Sequence, residues 1–95
     1  MKVAELNDCL KMLNLYASGT RLQILCILGK KKLTGIEILK QMDIAQPSLS
    51  HQLVQMVEGG ILNAEEKWKW TYYSINIEKF KEAIKSFRVL NGIVK

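Results

Sequence analysis

The sequence predicts a mainly α-helical fold with one small β-hairpin, in the order α-α-α-α-β-β-α. Three observations carry that expectation. Apolar residues recur at steps of three and four through most of residues 3–57, the period of an amphipathic helix. After Gly60 the texture changes to two short runs rich in aromatic and β-branched residues, as in paired strands. From Ile77 the helical step returns through Phe80, Ile84 and Phe87.

Each element has its own signal. Val3, Leu6, Leu10, Leu13 and Ala17 form one stripe, with Cys9, Met12 and Tyr16 beside it. That arc is too wide for a helix touching a single partner surface. Ser18 is placed to cap a second helix that ends near Gly29, its buried side expected at Leu22, Leu25, Cys26 and Leu28. Lys30, Lys31 and Lys32 read as an exposed basic loop. Thr34 and Glu37 fit a capping box for a third helix of about two turns, with Ile36, Leu39 and Met42 inward. Pro47 suits the first turn of a fourth helix, whose buried stripe is Leu49, Leu53, Met56 and Val57 and whose stop is Gly59-Gly60. Two short helices joined by a brief turn, over about residues 34–58, are a helix-turn-helix pattern. Residues 61–64 and 70–75 are the expected strands of a hairpin spanning about 61–75, with 65–69 as its bend.

Composition narrows the function. Ninety-five residues make one domain over 1–95, and 48% hydrophobic with 24% charged residues is a globular balance. No apolar run approaches the ~18 residues of a membrane span, and the N-terminus lacks a secretory signal, so a cytoplasmic protein without membrane contact is expected. Fourteen Lys and Arg against nine Asp and Glu leave a net charge of +5, which favours a polyanionic partner. Two cysteines and one histidine are too few for a disulfide scaffold or a four-ligand zinc site. No motif pairs a nucleophile with a base, which argues against an enzyme, and no cofactor is expected.

The fourth helix supports a DNA reader on its own chemistry. With its apolar stripe buried, its other face offers Gln46, Ser48, Ser50, His51, Gln52 and Gln55, and no Lys or Glu precedes Glu58. Amide and hydroxyl groups suit base edges in a groove, while phosphates are handled from the flanks. Arg21, Lys30, Lys31, Lys32, Lys40, Lys67 and Lys69 are the candidate phosphate contacts. If about three phosphates were neutralised per protomer, log K would fall with log salt at a slope of roughly −5 per dimer.

Three segments resemble the ArsR/SmtB family of winged helix-turn-helix repressors. Thr20-Arg21-Leu22-Gln23-Ile24-Leu25 is similar to the T-R-L-x-I-L opening of that family's second helix. Gln46-Pro47-Ser48-Leu49-Ser50-His51-Gln52-Leu53 resembles its recognition helix, and Gly60-Ile61-Leu62 with Trp70-Thr71-Tyr72-Tyr73-Ser74-Ile75 resembles its wing. The resemblance covers roughly residues 13–80. It implies a homodimeric repressor on an inverted-repeat operator in double-stranded DNA, with Gln46, Ser48, Ser50 and His51 taking the groove and backbone contacts. Dimerisation then falls to the helices at about 3–17 and 77–90, with Leu6, Leu10, Leu13, Phe80, Ile84 and Phe87 as interface candidates, some of which could instead be internal core.

This chain also departs from the pattern. The bend reads Glu65-Glu66-Lys67-Trp68-Lys69 where Gly and Arg are usual. The glutamates are expected to face away from DNA while Lys67 and Lys69 reach it, and Trp68 to pack on the hairpin in preference to touching a sugar. The two usual metal sites lack their ligands, because residues 33–43 hold no Cys and residues 76–95 hold neither Asp nor His. Cys26 lies where the family's thiol sensors carry a cysteine, and Cys9 is its only available partner. Both are read as small buried hydrophobes, with a thiol switch as the alternative. The acidic wing leaves open a winged-helix module that contacts protein instead of DNA. The effector is unknown.

Overall fold

The computed structural model describes the backbone of residues 3–94 and, within it, all side chains except those of residues 5, 6, 9, 87, 89–91, 93 and 94. The assignments made above for Leu6, Cys9 and Phe87 therefore lie outside the described residues. Among the described residues five helices and three strands follow in chain order: α1 Val3–Tyr16, α2 Gly19–Leu28, β1 Leu33–Thr34, α3 Gly35–Leu39, α4 Gln46–Glu58, β2 Leu62–Lys67, β3 Trp70–Ile75 and α5 Ile77–Val94.

Local chemistry sets most of the boundaries. The Ser18 hydroxyl accepts from the Arg21 N–H at 3.5 Å and caps α2. Thr34 and Glu37 close both halves of their capping box, satisfying two N–H groups that a helix start leaves orphaned. Asn76, which the sequence reading passed over, does similar work for α5. Its side-chain oxygen accepts from the Lys79 N–H at 3.2 Å, and its amide donates to the Gly60 carbonyl at 2.8 Å. One residue thus ties the base of the hairpin to the last helix. Gly59 and Gly60 end α4 for different reasons. A Cβ on Gly59 would lie 2.8 Å from Leu15 of α1, whereas Gly60 turns the chain at φ +80.

The core gathers Ile24, Leu25 and Leu28 of α2, Ile38 of α3, Leu49, Leu53 and Met56 of α4, then Ile61, Leu62 and Ala83, with Tyr16 closing one side. Two expected inward faces are corrected. Leu22 is 47% exposed and Cys26 is also exposed, because at ~100° per residue they sit roughly 200° from Ile24. Ile36 likewise faces out while Ile38 is fully buried. In α1 the core contacts come from Met12, Leu15 and Tyr16, and Val3 and Leu10 are left exposed.

The sheet is antiparallel in the order β1-β3-β2. Leu33 and Thr34 pair with Tyr73 and Tyr72 as an edge strand, where the sequence pattern announced no strand. The β2–β3 ladder runs without interruption from Leu62↔Ile75 to Lys67↔Trp70. Residues 65–67 are therefore strand, and the bend shrinks to Trp68 and Lys69.

Candidate nucleic-acid interface

The outer face of α4 is defined by what its inner face buries. Leu49, Leu53 and Met56 are all buried, four and three residues apart, so one stripe is anchored in the core. Gln46, Ser48, Ser50 and His51 are then exposed on the other side. Val54 joins them as an exposed apolar member that the sequence reading left out. The helix start is also open. Ala45 offers no side-chain cap, and Pro47 sits in the first turn, so the positive end of the helix dipole faces outward with these side chains.

Gln52 and Gln55 are placed differently. Both are half-buried, and both side-chain oxygens accept from Arg21, the first from Nε and the second from Nη2, each at 3.0 Å. Arg21 Nη1 donates to the Asn14 and Leu15 carbonyls at 3.4 Å. All three were expected at the DNA; here Arg21 engages both glutamines. The cause is that the last carbonyls of a helix are orphaned and attract cations, and α1 has no basic residue in its own last turn. Arg21 supplies the missing cation, and its fork of donors has capacity left for two glutamines. This clamp fixes α4 against the end of α1.

In the hairpin, Glu65 faces Lys32 at 3.1 Å and Lys67 at 3.8 Å. The hydrogen bond from Lys32, with the charges of Lys32 and Lys67, holds the Glu65 carboxyl below its ordinary range. Two expected phosphate contacts thus already share a carboxylate. Lys69 stands 5.7 Å from the centre of the Trp70 ring, and Lys30, Lys31 and Lys40 are exposed. The expectation that Trp68 packs on the hairpin is corrected. It is 100% exposed at φ +60, because a two-residue bend aims its side chain away from both strands.

Leu10, Phe80 and Ile84 are exposed on α1 and α5, with Leu13 half-buried. Leu13, Phe80 and Ile84 line an apolar hollow of about 460 Å³ with Tyr16, Ala17, Leu22 and Ala83. The Tyr16 ring meets Phe80 edge-on at 5.9 Å, and its buried hydroxyl finds no hydrogen-bond partner among the described residues. Burial, then Glu82, raises its pKa, so the phenol stays protonated. Cys26 lies in a shallow groove with Leu22, Gln23, Ile27 and Met42. Among the described residues no three His, Cys, Asp or Glu side chains gather as metal ligands, and no helix is long and apolar enough to cross a membrane.

Comparison with known proteins adds to this geometry. The sequence model of the family described as bacterial regulatory protein, arsR family, matches residues 18–64, which hold α2, the helix-turn-helix and the start of β2. The uncharacterized HTH-type transcriptional regulator MJ1325 of Methanocaldococcus jannaschii is 31% identical over 74% of this chain and 80% of its own. The arsenical resistance operon repressor of Staphylococcus aureus is 25% identical over 96% of this chain and 85% of its own. In fold, the homodimeric winged helix-turn-helix DNA-binding domain of Mb0332 from Mycobacterium bovis superposes with a TM-score of 0.68 at 23% identity, covering 96% of this chain and 82% of that one. The family model and these relatives agree: the chain belongs to the ArsR family of transcriptional regulators.

Proposed function

We propose that this chain is a repressor that binds double-stranded DNA as a homodimer, with α4 of each protomer in the major groove of one half of an inverted-repeat operator. The observation that carries the reading is the exposed, uncharged row of Gln46, Ser48, Ser50 and His51 on a helix whose opposite side is locked into the core. Gln pairs bidentately with adenine, and Ser serves several base edges. Lys30, Lys31, Lys40 and Lys69 flank this row as phosphate contacts, and the open start of α4 offers a further anion site. Arg21, Gln52 and Gln55 act behind it, as the brace that holds the reading helix at its angle.

The dimer is supported by the apolar side chains exposed on α1 and α5, Leu10, Phe80 and Ile84, and by the homodimeric state of the Mycobacterium bovis relative. Twofold pairing through these helices covers that surface and sets two reading helices about 34 Å apart, one turn of DNA. The missing Cys in residues 33–43 and missing Asp and His in residues 76–95 support a regulator without the usual family metal sites. It works in the cytoplasm, where promoter DNA is. Titrating random duplex and the DNA upstream of its own coding sequence at ~50 and ~200 mM salt tests the reading, with a steep loss of affinity expected as salt rises. Absent or salt-insensitive binding to both duplexes removes it.

A second reading is favoured by the exposure of Cys26, which leaves its thiol open to oxidation. An oxidant then weakens operator binding reversibly, and Cys26→Ser abolishes the response. An unchanged response in that variant rejects a role for this thiol.

A further inference from the structure

Among the described residues, the Tyr16 hydroxyl is the only buried side-chain polar atom without a hydrogen-bond partner. The residue is 6% exposed, so its phenol has given up water and gained no bond in return. A buried group left in that state calls for an explanation. Tyr16 is also a wall of the hollow between α1, α2 and α5. At about 460 Å³, the hollow falls within the ~300–1,000 Å³ of small-molecule sites. Its other walls are apolar side chains, among them Leu22, Phe80 and Ile84. Two more, Ala17 and Ala83, are short and leave the space open.

We propose that this hollow takes a small, neutral, largely apolar molecule carrying one hydrogen-bond acceptor, and that filling it weakens the hold of α4 on DNA, the second half resting on the DNA-binding reading above. The walls select the ligand. No charged side chain lines the hollow, so an ion would lose its water without finding a counter-charge. Burial, then the charge of Glu82, keeps the phenol protonated, so it is a donor suited to a ketone, ester or ether oxygen. A second copy of the chain does not answer that donor. The apolar side chains that twofold pairing brings to this face, Leu10, Phe80 and Ile84, carry no acceptor. Pairing instead roofs the hollow and shuts water out of it. The same turn of α1 reaches the reading helix. Asn14 and Leu15 lend their carbonyls to Arg21, which holds Gln52 and Gln55 of α4. The Leu15 side chain also lies against Gly59 at the end of α4. A ligand pressed between Tyr16 and Phe80 therefore strains the turn on which the brace is seated, and close-packed interiors transmit such strain. A molecule that binds better once this turn has shifted draws the protein toward the arrangement with a loosened α4.

The probe is the naphthyl ketone prodan, neutral and fluorescent, with its ketone-free parent dimethylaminonaphthalene as the control. Both are titrated into the full chain at a concentration where sedimentation shows the dimer. Prodan emission should brighten and move to the blue as the dye leaves water, saturating at one molecule per protomer. Tyr16→Phe removes only an unpartnered hydroxyl and so keeps the fold. It should bind prodan about tenfold more weakly and the ketone-free parent as well as wild type does. Ala17→Leu, which narrows the hollow, should weaken binding of both dyes. On a duplex that the wild-type protein selects from a random-sequence pool, saturating prodan should weaken binding about tenfold, and Ala17→Leu should blunt that response. Equal affinity of Tyr16→Phe and wild type for prodan overturns the site. Binding by dissociated protomers alone also overturns it, because the partner copy then fills the hollow. Unchanged duplex affinity at prodan saturation overturns the coupling to α4 and leaves the repressor reading intact. Failure of the pool to yield any bound duplex removes the repressor reading and the coupling with it, while the dye titrations still decide the site.

Discussion

The fourth helix and the hairpin both carry polar groups away from the body, by opposite means. The α4 row stands on three buried side chains and is braced laterally by Arg21. Beyond Leu62, every residue of β2 is exposed, and its tip is held by the ladder and by ion pairs whose side chains are about half exposed or more. Surface pairs of that kind contribute little. The difference teaches where rigidity was placed. On the proposed reading, the groups that match base edges are fixed by the core, whereas the hairpin needs only to arrive near the duplex.

Substitutions can break this contrast. The largest effect is expected at the anchor. Met56 is fully buried, so Met56→Ala should lower the unfolding free energy by about 3 kcal/mol in urea denaturation; a loss under about 1 kcal/mol would mean that α4 is not core-anchored. Next is the brace. Arg21→Ala removes donors to two glutamines and two helix-end carbonyls and should cost about 2 kcal/mol. Arg21→Lys should recover less than half of that loss, because an ammonium cannot reproduce the planar fork. Full recovery would reduce the brace to a simple charge effect.

The hairpin should answer with the other sign. Trp68→Gly relieves positive φ and gives up no buried area, so it should raise stability by about 1 kcal/mol. A lower thermal midpoint would mean that the indole has a resting contact. The smallest effect is on pH dependence. The Thr34 N–H and hydroxyl hold the Glu37 carboxyl below its ordinary 4.5, and Lys32 does the same for Glu65. Each contribution is whole above the ordinary carboxylate pKa and is lost as pH falls through the lowered one. Glu37→Gln should therefore flatten the acid limb of a thermal-midpoint profile and leave its neutral region nearly level.

Much of this contrast was legible in the sequence where it depends on neighbours along the chain. Ser18, the Thr34–Glu37 box and Pro47 announce helix starts through groups three residues apart or less, and the α4 stripe follows from period alone. What escaped depends on distance. β1 exists only because Leu33 meets Tyr73, and the brace joins Arg21 to partners 31 and 34 residues away. Gln52 and Gln55 look identical to groove-facing amides until the end of α1 is placed beside them. Leu22 and Cys26 are as apolar as their buried neighbours, so composition could not say which side of α2 the core would take. For Trp68, the length of the ladder decided, because three more paired residues, Glu65 to Lys67, turned a loose bend into a tight one.

The central claim is that the outer row of α4 reads bases. Its most direct test measures operator and random-duplex affinity side by side for wild type, Gln46→Ala and His51→Ala. A lost base contact is worth about 1–3 kcal/mol of discrimination. Operator binding should therefore weaken by about tenfold or more in each variant while random-duplex binding and its salt slope hold steady. Equal losses on both duplexes, or none on either, would contradict the account and put a different surface in the groove.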